Sequence, residues 1–278
     1  MWWEVLQVAG IVPIVSIALA LLYGKHRWES DTRALRTKLA ATRVSITPKS
    51  YDPRELEWLP PPVQRYFQAV LKEGQPFITT VTLQQTGTFN MGENREQWKS
   101  FEATQHVIIQ RPGFVWDARI HIAPGTTAFV HDAYTAGEGT LTAKLFGFLT
   151  VMKQPQTHEL AEGELMRFFA EGAWYPTCFL PGQEVYWEAV DNTAARAIMQ
   201  DGAITLTMLF RFSEDNLIES IRVEARGRIV GGTTIPTPWE GHWGNYELHH
   251  GIRILTQGEV MWMTPGGQNR TGVVVSPK

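Results

Sequence analysis

The sequence predicts a mainly β domain of the α+β class, preceded by one apolar N-terminal helix. From residue 77 onward apolar and polar residues alternate, turn residues separate the alternating segments, and the first 24 residues lack this pattern. Most strands are sequential neighbours, so we expect a curved antiparallel sheet or half-barrel of about ten to twelve strands packed on one or two helices. The predicted units are an anchor at 1–24, a basic juxtamembrane segment and linker at 25–58, and a single β-rich domain at 59–278.

The first element is a nearly unbroken apolar run from Val5 to Tyr23. A helix of that length spans the hydrocarbon core of a bilayer. Trp2, Trp3 and Tyr23 bracket the run, as interfacial aromatic residues do. A cleaved signal peptide is the alternative interpretation. No Lys or Arg precedes the run, and Glu4 lies there instead, which favours an uncleaved single-pass anchor.

Basic residues follow the apolar run, and none precedes it. They are Lys25, Arg27, Arg33, Arg36, Lys38 and Arg43. Positive flanks stay in the cytoplasm, which predicts a cell-membrane protein whose large domain faces the cytoplasm. Lys25 and Arg27, at the end of the run, are also candidates for contact with anionic lipid headgroups.

Charge and cysteine content exclude several classes of protein. The chain has a net charge of −3, and the residues after the basic segment are more acidic still, which argues against a nucleic-acid partner. A single cysteine, Cys178, excludes an internal disulfide framework and a Cys-based zinc site. We therefore expect no cofactor and no metal.

The next elements follow from periodicity. Residues 28–39 predict a short amphipathic helix, and Pro60–Pro62 open a second helix that Gly74 ends. Residues 114–122 alternate between apolar and polar side chains, which is typical of a strand with one wet face. Later strands are expected at Ala203–Phe212, Leu217–Arg226, Trp239–Leu248, Ile252–Trp262 and Thr271–Val275.

One helix, at residues 160–174, interrupts the strands. At about 100° per residue, Glu164, Arg167 and Glu171 fall within a narrow stripe, and apolar residues cover the rest. This predicts a helical plug enclosed by the sheet. Arg167 lies within pairing reach of both glutamates, so we interpret the three as a structural ion-pair seam. A glycosidase-type carboxylate pair is the alternative, but the arginine between them opposes the raised pKa that a general acid needs.

A second set of polar side chains shares one face of a predicted strand. Asp117, Arg119 and His121 alternate there with apolar residues. An acid–base pocket is conceivable on this face, but a solvated, charge-alternating surface is the expectation. The chain has no Gly-x-Ser-x-Gly, phosphate-loop or His-Glu-x-x-His motif, so it is predicted not to be an enzyme. A hydrolase using His121 or the Glu164 and Glu171 pair is a less favoured reading.

Several motifs after the anchor resemble an uncharacterised bacterial family with an N-terminal membrane anchor, known only as a domain of unknown function. They are Leu59-Pro-Pro-Pro-Val-Gln-Arg-Tyr-Phe67, Arg111-Pro-Gly-Phe-Val-Trp-Asp-Ala-Arg119, Asp132-Ala-Tyr-x-x-Gly-Glu-Gly139, Glu164-Leu-Met-Arg167, Pro238-Trp-Glu-Gly241 and Gly258-Glu-Val-x-Trp262. The resemblance implies no activity. The predicted architecture is also similar to the half-barrels of bacterial lipoprotein carriers, which is an analogy of fold.

Two functions follow from these features. An anchor, one compact domain and the lack of a catalytic motif predict a non-enzymatic accessory or scaffold subunit of a larger membrane complex, of respiratory or photosynthetic type. Its partners would be membrane lipids and other membrane-protein subunits. The alternative is a carrier or sensor that binds a lipid or another apolar ligand in a half-barrel cleft.

Overall fold

The computed structural model describes residues 2–44, 47–92 and 95–275, with side chains from residue 12 onward. In these residues, helices α1 (Trp2–Ala41), α2 (Pro61–Val70) and α3 (His158–Ala170) accompany short 3₁₀ turns at Pro53–Leu56, Glu171–Trp174 and Pro176–Phe179. Thr157 caps α3, because its hydroxyl accepts a hydrogen bond from the Leu160 amide at 3.2 Å.

All the strands belong to one curved antiparallel sheet of 13 strands. The strands are β1 (Thr80–Asn90), β2 (Trp98–Ile108), β3 (Gly113–Ala123), β4 (Thr126–Thr135), β5 (Glu138–Leu145), β6 (Leu149–Lys153), β7 (Val185–Ala189), β8 (Ala194–Asp201), β9 (Ile204–Phe212), β10 (Ile218–Val230), β11 (Thr233–His249), β12 (Ile252–Thr264) and β13 (Gly267–Val275). The predicted mainly β class is confirmed. The sheet exceeds the expected strand number because short strands such as β6 and β7 carry little alternation.

The sheet consists of two meanders, β1–β6 and β7–β13, joined where β1 pairs with β13. This central seam spans four residue pairs, from Thr86 with Val275 to Phe89 with Gly272. Gly87 lies in the seam, where a Cβ atom would meet the Val273 carbonyl oxygen at 2.0 Å. Only glycine allows that approach. The free edges of the sheet are β6 and β7.

Residues 158–179, which we call the plug, link these two free edges and fill the concave face of the sheet. The plug comprises α3 and the two 3₁₀ turns after it. Helix α3 contacts strands of both meanders, namely β3, β4, β5, β9 and β10. Leu165, Phe168 and Phe169 are fully buried there. The helix therefore lies enclosed by the sheet, as its narrow polar stripe predicts.

The outer face of the sheet is covered over β2–β4 by the C-terminal part of α1. The amphipathic segment predicted at residues 28–39 is not a separate helix but a continuation of α1. Gly24, Trp28 and Thr32 lie about one helical turn apart, Leu39 follows about two turns later, and all four are buried against the sheet. At Gly24 a Cβ atom would meet the Phe146 carbonyl oxygen at 2.1 Å, so glycine permits the contact with the β5–β6 turn.

This covering helix corrects the expectation of a wet face on β3. Phe114, Trp116 and Ala118 point to the concave core as expected, but Val115 and Asp117 on the other face are also buried, at 0% and 7% exposure. Leu39 of α1 packs against Val115 and Ala133. Alternation along β3 is thus correct, and the solvent assigned to its second face is replaced by α1.

Before Tyr23, α1 extends away from the sheet, and its apolar side chains from Val12 to Tyr23 are between 45% and 68% exposed. Trp2 and Trp3, predicted at a membrane interface, lie outside the residues whose side chains are described, as does the start of the Val5–Tyr23 run. In the described part of the chain, no helix combines the length and apolarity needed to cross a membrane.

Candidate functional site

A cluster of charged side chains lies buried between the plug and the concave face of the sheet. We call it the buried charge cluster. It consists of Glu164, Arg167 and Glu171 from the plug, Asp132 from β4 and Arg226 from β10. Its members come from both meanders, so the cluster ties the plug to the two halves of the sheet.

Arg167 is the centre of this cluster. Its Nε donates to Glu171 Oε1 at 2.8 Å, and its Nη1 donates to Asp132 Oδ2. The guanidinium carbon lies 4.7 Å from the ring centroid of Trp116. Gln105 of β2 completes the arrangement, since its amide donates to Glu171 Oε2 at 2.6 Å. A buried guanidinium needs such partners, because an unpaired buried charge is strongly unfavourable.

Glu164 departs from the predicted ion-pair seam. It is 5% exposed, and its Oε2 finds no hydrogen-bond donor among the described residues, nor does Oδ1 of Asp132. Burial raises the pKa of Glu164 well above its ordinary value, and the charge of Asp132 and a hydrogen bond to that carboxyl raise it further. The raised pKa therefore favours the protonated, neutral form of Glu164 over the carboxylate.

Charge balance supports this protonation state. With Glu164 neutral, the cations Arg167 and Arg226 stand against the carboxylates Asp132 and Glu171. Arg226 is held in place by its hydrogen bond to the Gly163 carbonyl at 3.2 Å and by the Trp239 ring, 5.0 Å away. A closed, balanced cluster secures the plug and offers no open acid–base pair to a substrate.

Asp132, Arg226 and Gln105 were missed by the sequence reasoning, because their partners are far away along the chain. Asp132 and Arg167 are 35 positions apart. A signal for Asp132 nevertheless exists: alternation along β4 places it on the same face as the buried Val130 and Tyr134. A charged residue at an apolar strand position indicates a buried partner.

Replacing Glu164 with Gln is expected to stabilise the protein at neutral and alkaline pH. A glutamine amide can still donate to Asp132, and it does not titrate. Because the folded pKa lies above the ordinary value of 4.5, the folded state retains a proton that the unfolded state releases. Wild-type stability therefore falls as pH rises above that value, by at most about 1.4 kcal/mol per pH unit.

Thermal unfolding at pH 5 and pH 8 measures this effect. The difference in melting temperature between Glu164→Gln and wild type should grow from pH 5 to pH 8. Glu188→Gln, at an exposed position of β7, should melt at the same temperature as wild type at both pH values. A Glu164→Gln protein that is less stable than wild type at pH 8 contradicts the neutral state of Glu164.

Asp117 belongs to a different junction, where α1 docks on the outer face. Trp28 Nε1 donates to Asp117 Oδ1 at 2.8 Å, and the Trp28 ring stacks on His131 at a centroid distance of 3.7 Å. Thr32 Oγ1 lies 2.7 Å from His131 Nε2. Burial lowers the pKa of His131 to about 4, even though Asp117 opposes the shift, so the imidazole is neutral at physiological pH.

The predicted polar strand face is not a joint site. Asp117 accepts a hydrogen bond from the Trp28 indole, and Arg119 lies over the Phe129 ring at 5.6 Å. His121 is exposed to solvent. The reason is again α1, which covers the first half of β3 and leaves His121 beyond its reach. Among the described side chains, no group of three or more His, Cys, Asp or Glu residues is arranged to hold a metal.

Two tryptophans where the plug meets the sheet have unpaired indole donors. Trp174 of the plug and Trp243 of β11 meet edge to face, with ring centroids 5.3 Å apart. Both are buried, and the Nε1 of each finds no acceptor among the described residues. Gly258 of β12 leaves room for the Trp243 ring, since a Cβ atom there would lie 2.4 Å from it. Tyr66 of α2 also has a buried, unpaired hydroxyl.

A model of a family of unknown function, DUF6920, matches residues 57–270. The chain belongs to this family. Membership confirms the resemblance expected from the motifs between Leu59 and Trp262. No curated protein matches the chain. Among solved structures, a LolA superfamily protein from Nitrosomonas europaea aligns with a TM-score of 0.41 and 9% identity, over 72% of this chain and 84% of that one.

Proposed function

We propose that this member of the DUF6920 family binds an apolar ligand carrying a polar acceptor group, such as a lipid carbonyl, on the concave face of the sheet. The observation that carries the proposal is the pair of buried, unpaired indole donors of Trp174 in the plug and Trp243 in β11. A buried donor left without an acceptor costs about 1–3 kcal/mol. A ligand acceptor that reaches these donors recovers that free energy.

The surroundings of the two indoles favour an apolar ligand. The concave core contains the fully buried rings of Phe169, Phe179 and Phe210, which meet one another at 5.3 to 5.8 Å. Binding sites for lipids and similar ligands are lined mainly by such side chains, with a few polar groups that orient the ligand.

The connections of the plug explain how a ligand enters. The plug is joined to the sheet through β6 and β7, the free edge strands, each five residues long. All five residues of β6 are exposed. Elements with few buried contacts open at the lowest free-energy cost, so β6 can separate from β5 and free one end of the plug while the central strands stay paired. The buried charge cluster gives the plug one defined position to return to.

Fluorescence of cis-parinaric acid, a fatty acid with intrinsic emission, tests the proposal on the full chain in maltoside micelles. We expect saturable binding of one probe per chain and displacement by oleic acid. Trp243→Phe keeps an aromatic ring but removes the donor, so affinity should fall about tenfold, the usual effect of one hydrogen bond. Trp58→Phe is the matched control, because Trp58 is 89% exposed. Binding that is unsaturable, or equal in both variants, overturns the proposal.

Membrane attachment is a second proposal, favoured by the exposed apolar stretch of α1 from Val12 to Tyr23. Apolar side chains on every side of a helix are unfavourable in water and are typical of a lipid or protein environment. An accessory role in a larger membrane complex rests on the same stretch. Gentle solubilisation followed by native electrophoresis tests it, and migration as a free monomer contradicts the complex.

A further inference from the structure

A cleft of about 730 Å³ opens on the outer face of the sheet, beside the docked part of α1. Helix α1 forms one wall, β5 and β6 form the floor, and residues 153–156 form the other wall. Three lysines and three threonines give the cleft its chemistry: Lys38, Lys144, Lys153, Thr140, Thr142 and Thr150. The cleft lies on the opposite face of the sheet from the plug.

The threonine hydroxyls are free to bind a ligand. Within the described residues, none of the three makes a side-chain hydrogen bond to another residue. Lys153 likewise has no carboxylate partner in that part of the chain. Lys144 is held in the floor by Asp31 at 2.8 Å and lies 5.6 Å from the Trp28 ring centroid. Fixed and free donors thus face the same space.

The charge of the cleft is positive. Three lysines stand against two carboxylates, because Asp31 pairs with Lys144 and Glu138 pairs with Lys38 at 2.6 Å. The ammonium of Lys153 is left without a carboxylate partner among the described residues. His131 also borders the cleft and adds no charge, since burial lowers its pKa to about 4. Ammonium and hydroxyl groups that converge in this way match phosphate oxygens, which are anionic and accept several hydrogen bonds.

We propose that this cleft binds a phosphate-bearing group, the chemistry shared by a phospholipid headgroup and a soluble phosphate ester. The headgroup is favoured by what borders the cleft. Phe148 of the β5–β6 turn is 41% exposed and lies against Gly24, where α1 leaves the sheet about two helical turns before Asp31. Apolar surface for acyl chains therefore adjoins the cationic cleft.

Native mass spectrometry of the full chain, released from maltoside micelles doped with phosphatidylglycerol or phosphatidylcholine, tests the site. A double variant, Thr142→Val with Lys153→Ala, removes one hydroxyl and the unpaired ammonium and leaves the Lys144–Asp31 pair intact. Lys72→Ala is the control, at an exposed lysine after α2. Calorimetric titration with inorganic phosphate in undoped micelles forms the second arm.

The expected result is one phosphatidylglycerol retained per wild-type chain. Retention should fall about tenfold in the double variant, the effect of losing a charge-assisted hydrogen bond, and should be unchanged in Lys72→Ala. Binding of inorganic phosphate that the double variant loses, without lipid retention, supports the site with a soluble ester as its ligand. If neither probe binds, or the double variant binds like wild type, the proposal is overturned. Because the plug is untouched, parinaric acid binding should be the same in all these variants.

Discussion

Replacing Arg167 with Met is expected to destabilise the protein by about 3–5 kcal/mol, the cost of removing one partner from a buried ion pair. The side chain of Arg167 is 17% exposed and pairs with Asp132 and Glu171, which are 13% and 12% exposed. Methionine occupies similar volume but leaves the buried carboxylates of Asp132 and Glu171 without their hydrogen-bonded cation, and Arg226 alone remains to balance them. The plug then loses its main polar attachment to the sheet. Chemical denaturation followed by circular dichroism measures the change in the free energy of unfolding.

Arg196→Met is the matched control for this prediction. Arg196 lies on β8 and is exposed, so its replacement should change stability by less than about 0.5 kcal/mol. The stability of Arg167→Lys should lie between those of Arg167→Met and wild type, because an ammonium keeps the charge but cannot bond both carboxylates with the geometry of a guanidinium. An Arg167→Met protein as stable as wild type would show that the buried charge cluster does not hold the plug.

Replacing Trp28 with Ala is expected to release α1 from the outer face of the sheet while the sheet and the plug stay folded. Trp28 is fully buried, stacks on His131 and bonds Asp117. Loss of a buried Trp costs about 3–5 kcal/mol, and among the described residues of α1 Trp28 and Leu39 are the large apolar side chains buried against the sheet. Limited trypsin digestion should then cut rapidly after Arg33 and Arg36, while the far-ultraviolet spectrum of the sheet is retained.

Trp58→Ala provides the comparison, since Trp58 is 89% exposed and its loss should leave the digestion pattern of α1 unchanged. Trp28→Phe keeps the ring against His131 but leaves Asp117 without its donor, so an intermediate rate is expected. If trypsin cuts the Trp28→Ala and wild-type proteins equally fast, α1 is held mainly by Leu39 and the ion pairs of its flanks.

The fold was predictable where a local pattern carries it. Alternation of period two marks β3 and β9–β12, because each of these strands buries one face in the concave core. The narrow polar stripe of α3 likewise indicates a helix that the sheet surrounds. The contacts on the outer face of each strand were not predictable. Alternation alone places Asp117 in solvent, and it is buried because α1 packs across the outer face of the sheet.

The candidate sites depended even more on distant contacts. Sequence spacing correctly placed Glu171 within reach of Arg167, since residues four apart share a helix face. It gave Glu164 the same role, and yet burial beside Asp132 raises the pKa of Glu164 and favours its neutral form. The cleft on the outer face joins residues of α1 to those of β5 and β6, more than 100 positions later. No local pattern relates such positions.

The central seam has a consequence for biosynthesis. Every other ladder of the sheet joins strands adjacent in the chain, so each can form as the chain leaves the ribosome, whereas β1 must wait for β13. During that interval the inner edge of β1 exposes unpaired backbone groups, and such an edge recruits other nascent chains. Pairing of the last residues of β13 with β1 therefore closes this edge last, and the chain is open to wrong strand pairing until then.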